Sequence, residues 1–316
     1  MRAGWFVLLS LFAALVSGTL TLVAPMTLAA SHCIPTSSKD VFLAYCTSPK
    51  FTDYEHGAYY LKLEPQAIKR LESAQVVVLG SSVAQMSFST DATSAYFNER
   101  KLSYYLLGFG YNEGGRFSAA VLSRVPDHAS LYIIHAYKFF GNGLSTAAEA
   151  AMAENATVHF LSKKLGAESA KWICGVMRGW CEPNSSSIYR SFNTGSWEWI
   201  NTYSSSSGTR PIPPQRPLGG APSPDDFVRA ESLAASLKVP PECIIVTETP
   251  NADIDLSENT RLIAEHIHAN SLIPQVEGLV TLDGYHLDKP SAERWSKVFF
   301  QGLDLAVSRC HDFSAK

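Results

Sequence analysis

The sequence has no lysine- or arginine-rich stretch, and only 17% of its 316 residues are charged, for a formal net charge of -3. Binding to nucleic acid through phosphates needs a basic face, so that class of partner is excluded. A polybasic segment for anionic lipid is missing too. No two of the six cysteines stand at the two-residue spacing usual in a structural zinc site. A phosphate-cradling glycine loop and a zinc-protease helix motif are likewise absent. His266 and His268 are two residues apart on an expected helix, so their rings point in different directions rather than at one metal. No metal and no cofactor are implied.

What is present is apolar. Hydrophobic residues make up 46% of the chain, enough for one large domain or two small ones. After Arg2, the segment "GWFVLLSLFAALVSGTLTLVAPMTLAA" runs to Ala30 without a charge. It is longer than the apolar core of a secretory signal and just long enough to span a bilayer. Residues 1–30 are therefore expected to be a signal peptide or a membrane anchor, with a small-residue cleavage site after Ala29 or Ala30. Either outcome delivers residues 31–316 across a membrane, to the periplasm or the exterior. If the segment is retained, it holds the chain to the cytoplasmic membrane. All six cysteines lie beyond it, and an even number in an exported chain suggests disulfides. Of the 15 pairings that six cysteines allow, the preferred one joins Cys33 to Cys46, Cys174 to Cys181, and Cys243 to Cys310.

Four apolar runs recur along the chain, each followed by glycine, proline or a polar turn: "VVVL" (76–79), "LSYYLLGFG" (102–110), "SLYIIHAY" (130–137) and "CIIVTETP" (243–250). A shorter one, "EGLVTLDG", ends at Gly284. They lack strict alternation, as strands buried on both faces do. Helical patterns lie around them at "EPQAIKRLESA", "SAAVLSRV", "SENTRLIAEHIHAN" and "SAERWSKVFFQGLDLAV". This alternation predicts an α/β fold with a mostly parallel sheet covered on both sides, the five runs supplying its strands. An insertion at about 144–240 interrupts the pattern; it reads as helical to about Cys181, then as irregular and rich in Ser, Pro and Gly. Trp172, Trp180, Trp197 and Trp199 fall in it. They are either a lid or platform for a sugar-like ligand or the small core of a subdomain, and packing is the commoner role of tryptophan.

Two motifs carry chemistry. "VVVLGSS" ends an apolar run in Gly80-Ser81-Ser82, which is either a turn or a serine held at a strand end as a nucleophile. "DGYH" sets Asp283 three residues before His286, after the last apolar run and ahead of an amphipathic helix. A carboxylate bonded to one imidazole nitrogen fixes the tautomer that lets the other take a proton from a serine. Ligands of open parallel sheets sit outside the carboxyl ends of the strands, so Ser82 and the Asp283–His286 pair are expected on one rim. His135, at the end of the third run, is expected to be a satisfied core histidine.

These two motifs resemble those of the SGNH, or GDSL-like, hydrolases, over roughly residues 74–140 and 240–307. The resemblance implies a flavodoxin-like three-layer sandwich with Ser82 as nucleophile, His286 as base and Asp283 as orienting acid. It also implies an oxyanion hole with a glycine from the second strand, Gly108 or Gly110 here, and an asparagine. The family's Gly-x-Asn-Asp turn is replaced by "HAYKFFGNG", where Asn142 is the nearest asparagine; Asn112 is another candidate. The implied activity is that of an esterase or O-acyltransferase acting on acyl, best acetyl, esters of carbohydrate. Its partners would be an acylated carbohydrate or other ester and, for transfer, a membrane acyl-donor protein. The alternative is a catalytically degenerate polysaccharide-binding or scaffold protein of the cell envelope.

Overall fold

The computed structural model describes residues 2–33, 35–36, 38–47, 50–126, 129–141, 143–177, 181, 185–200, 209–307 and 310. Two compact units emerge. The larger comprises Glu64–Glu149, Arg190–Trp197 and Thr202–Lys316. Its centre is a five-stranded parallel sheet of β1 (Val76–Ser81), β2 (Tyr104–Phe109), β3 (Leu131–His135), β4 (Ile244–Thr247) and β5 (Asn270–Ser271). The strands lie in the order β2-β1-β3-β4-β5. β1 to β4 are buried at every position, which is why their sequences are continuous apolar runs rather than alternating ones.

Among the helices of this unit are Pro65–Glu72, before β1, and α1 (Ser82–Ser87), α2 (Thr90–Glu99), α3 (Gly115–Leu122), α4 (Pro224–Leu237), α5 (Ser257–His266) and α6 (Lys289–Val307). On one face, Val76, Val78, Tyr104, Leu106, Leu131, Ile133 and Ile245 pack against Tyr96 and Phe97 of α2 and Trp295, Phe299, Phe300 and Leu303 of α6. Trp295 stacks on Phe299, and Phe88 meets both edge-on. On the other face, Phe109 meets Phe117 of α3 edge-on at 4.9 Å. α3 packs on α4, and α4 on α5. The result is three layers, helix–sheet–helix. α4 starts where the sequence signals it: Pro224 takes the first turn, and Ser223 and Asp226 form a reciprocal capping box.

The fifth strand differs from expectation. β5 is two polar residues, whereas "EGLVTLDG" contributes Val280–Thr281, which pairs antiparallel with Arg210–Pro211 outside the main sheet. An edge strand this short has one neighbour and buries little, so no apolar run is needed to specify it.

Cys243, at the foot of β4, is joined to Cys310 beyond α6, closing a separation of 67 residues. Replacing both by serine is expected to lower unfolding free energy by about 4 kcal/mol, chiefly through the freed unfolded chain. Unfolding free energies extrapolated from denaturant curves, each with its own slope, measure it; no difference would mean that the bridge does not constrain the unfolded chain.

The smaller unit comprises Met1–Leu63, Ala150–Tyr189 and Glu198–Asn201. Helix Arg2–Ser31 packs along helix Ala156–Val176, where Gly166 makes room: a Cβ there would stand 2.4 Å from the Met26 side chain. Lys163, on the same helix, forms an ion pair with Asp53. Val41–Cys46 is a strand of this unit, and the insertion adds the strands Ser187–Ser191 and Trp197–Ile200. So the first half of the insertion is helical as expected, whereas the second half contains strands. Trp197 is buried, Trp172 is exposed, and Trp180 lies outside the described residues. Cys33–Cys46 and Cys174–Cys181 form the other two disulfides, completing the expected pairing. Three disulfides mark a chain exported to an oxidising compartment. Among the described residues, no helix is long and apolar enough to cross a membrane.

Candidate active site

β1 ends at Ser81, and α1 begins at Ser82. The reversal from strand to helix is tight. A Cβ on Gly80 would lie 2.5 Å from the Ala84 side chain and 3.0 Å from that of His135. Directly opposite on β2, a Cβ on Gly108 would lie 2.8 Å from the Ser81 carbonyl oxygen. Two glycines face each other because the chain has no room there for anything else.

The two serines divide the work. The Ser81 hydroxyl oxygen caps α1, accepting from the Val83 amide at 3.3 Å. Ser82 is half-buried, and its Oγ lies 3.0 Å from His286 Nε2. Ser81 therefore makes the turn, and Ser82 faces His286.

His286 is held by its own loop. Gly284 adopts φ +101°, the Gly284 amide donates to Thr281 Oγ1 at 3.0 Å, and the Leu282 amide donates to the His286 carbonyl at 2.7 Å. One Asp283 oxygen, Oδ1, accepts from the amides of Tyr285 and His286 at 3.0 and 2.9 Å. The other, Oδ2, lies 2.7 Å from His286 Nδ1. An ionised carboxylate only accepts, so Nδ1 carries the proton and Nε2 presents its lone pair to Ser82. Burial alone would raise the Asp283 carboxyl. The bond from the imidazole, its charge and the two amides outweigh burial and hold the acid well below the usual carboxylate range.

The other expected residues fall as follows. Gly108 is inside β2, and its carbonyl accepts from Gln85 Nε2 at 3.1 Å. Gly110 stands just past the end of β2, where the chain turns through Tyr111 and Asn112, both with positive φ. Asn142 lies outside the described residues. His135 is fully buried, its Nε2 lying 2.6 Å from the Thr249 hydroxyl and 3.0 Å from the Thr249 amide. Among the described residues, no group of three metal-ligating side chains gathers.

Several neighbours had no obvious sequence signal. Gln85, three residues after Ser82, donates to the carbonyls of Gly108 and Gly195 and accepts from the Trp197 amide at 3.1 Å. It ties α1, which opens with Ser82, to β2 and to the segment before Trp197. Tyr137 and Tyr285 stand with ring centroids 5.6 Å apart, and Lys138 lies over both.

Two buried titratable groups lie at the strand ends. Burial, with the nearby His286 charge, pushes His135 down from 6.5 to about 3. Burial pushes Glu248 up from 4.5 to about 8, against the bond it accepts from Thr260 Oγ1 at 2.9 Å. Below pH 6.5 the unfolded chain protonates His135 and the native one does not, so stability falls as pH drops towards about 3. Above pH 4.5 the native chain alone keeps the Glu248 proton, so stability falls as pH rises towards about 8. The two slopes cancel between 4.5 and 6.5, leaving a plateau with a decline on each side of about 1.4 kcal/mol per pH unit. Denaturant midpoints across this range are expected to trace that profile, and Glu248→Gln is expected to remove the alkaline decline alone. An unchanged decline in the variant would assign it to another group.

Compared with protein-family models, curated proteins and solved structures, the chain matches none of them.

Proposed function

We propose that this chain is an SGNH-type serine enzyme of flavodoxin-like fold that transfers or hydrolyses an acyl group, acetyl being the best candidate, on a carbohydrate ester. The observation that carries the reading is the unbroken hydrogen-bond chain from Ser82 Oγ through the His286 ring to the Asp283 carboxylate. The strand order, 2-1-3-4-5 in chain sequence, supports the fold assignment.

In this reading Ser82 Oγ attacks the acyl carbonyl as His286 Nε2 takes the hydroxyl proton. The imidazolium so formed is stabilised by Asp283, which stays ionised. The tetrahedral oxyanion would be met by the Ser82 amide at the start of α1 and by the Gly110 amide, each such donor being worth about 10²–10³ in rate. The C–O bond to the alcohol then breaks, and His286 returns the proton to the leaving oxygen. A second hydroxyl, of water or of a sugar, gives its proton to His286 and attacks the acyl-enzyme, freeing Ser82. Water makes the chain an esterase, and a sugar hydroxyl makes it an O-acyltransferase supplied by a membrane acyl donor. Residues 1–30 direct export to the periplasm or exterior and, if retained, tie the enzyme to the cytoplasmic membrane.

A non-catalytic polysaccharide binder is the second reading, favoured by the exposed Trp172. A fluorophosphonate probe separates the two. Covalent labelling mapped by mass spectrometry to Ser82, and lost in His286→Ala, supports the enzyme; folded protein that stays unlabelled at Ser82 leaves the binder.

A further inference from the structure

The turn after β3 is built to expose one side chain. The Ala136 amide donates to the Thr247 carbonyl at 2.7 Å, and the Phe139 amide to the Ala136 carbonyl at 3.0 Å. Arg229 Nε donates to the Phe140 carbonyl at 2.5 Å. Tyr137, Phe139 and Phe140 are buried, whereas Lys138 between them is exposed. Lys138 takes φ +52°, a left-handed backbone that a side-chain-bearing residue adopts at a cost and that tends to mark functional positions.

The ammonium that this turn projects lies against the residue that precedes His286 in the chain. Lys138 Nζ lies 5.4 Å from the centroid of the Tyr137 ring and 5.7 Å from that of Tyr285, the residue preceding His286. Among the described residues, no carboxylate pairs with it. Arg210, beside Gly284, is paired with Asp253, and Asp283 accepts from the neutral His286 ring. Lys138 is thus a cation without a carboxylate partner among the described residues. Two tyrosine faces hold a cation in place by their quadrupoles without neutralising it, and so leave it available to a ligand.

We infer that Lys138, seated on Tyr137 and Tyr285, forms an anion subsite beside Ser82 and His286, so that the substrate is an ester bearing a carboxylate, sulfate or phosphate group near its scissile bond. The inference rests on the acyl-transfer reading and narrows it to acidic esters. Lys138 touches the substrate away from the reacting atoms, so its loss should alter recognition of charge and leave the reactivity of Ser82 in place.

The test compares second-order labelling rates of Ser82 by two fluorophosphonates, one with a neutral tail and one ending in a carboxylate. The ratio of the two rates, taken between wild type and variants, cancels the intrinsic reactivity of the probes. Lys138→Gln is expected to lower the carboxylate-to-neutral ratio about fivefold, the value of an exposed ion pair of about 1 kcal/mol. Lys138→Glu should lower it further, and Lys138→Arg should restore it, which a merely structural role for this exposed side chain would not produce. If Ser82 is labelled but Lys138→Gln leaves the ratio unchanged, the anion subsite is wrong and the acyl-transfer reading stands. If Ser82 of folded protein is labelled by neither probe, the acyl-transfer reading fails and the subsite falls with it.

Discussion

Replacing His286 by alanine is expected to reduce acyl transfer from an aryl acetate by about 10⁶, and Ser82→Ala to reduce it equally, with the double variant no worse than either. The reason is that the two act as a unit. Without Nε2 at 3.0 Å the Ser82 hydroxyl keeps its proton and is a poor nucleophile; without Oγ the imidazole has nothing to activate. Oxyanion donors and binding would leave a residual rate about 10³–10⁴ above water. Both side chains are only partly buried, so the fold should survive. Single-turnover kinetics on proteins with matching thermal midpoints give the comparison. Additive losses in the double variant would mean that serine and histidine work in separate reactions.

Asp283→Asn is expected to cost about 10⁴ in kcat with little change in KM. Asparagine keeps an oxygen for the Tyr285 and His286 amides, so the loop that carries His286 should persist. What changes is the partner of Nδ1. An amide nitrogen there donates rather than accepts, the ring takes the other tautomer, and Nε2 then presents a hydrogen to Ser82 instead of a lone pair. A stability signature accompanies the kinetic one. Because the native Asp283 carboxyl is held below the usual range, its contribution is fully present above the unfolded value of about 4 and is lost as pH falls below it. The wild type should therefore be the more stable protein near neutrality, with the gap to the variant closing on acidification below about pH 4. A gap that persists in acid would show that the asparagine damages the loop itself.

How much of this was legible in the sequence follows from where burial and local spacing act. The runs at Val76, Leu102, Ser130 and Cys243 became β1 to β4 because a strand buried on both faces must be apolar throughout. Asn270–Ser271 offered no such signal, and Val280–Thr281 offered a false one, its partner Arg210–Pro211 lying in a stretch that reads as irregular. Strand Val41–Cys46 went unread although its six residues, "VFLAYC", form an apolar run. Ser82, Asp283 and His286 were readable because each sits in a short motif at an element boundary, and the structure brings their side chains together. Gln85, Tyr137 and Lys138 were not, since each acts through contacts between distant segments. The departure of "HAYKFFGNG" from the expected turn was the one hint that this corner had its own chemistry.

Ser82 and His286 are separated by 204 residues, and Cys310 must find Cys243 after both have been made. During synthesis the serine leaves the ribosome long before the base that would activate it. Until His286 is made, the Ser82 hydroxyl lacks the imidazole that stands 3.0 Å from it in the folded chain. In the acyl-transfer reading, Ser82 thus becomes reactive only once the chain is complete, and the bridge that fastens its last helix closes in an oxidising compartment.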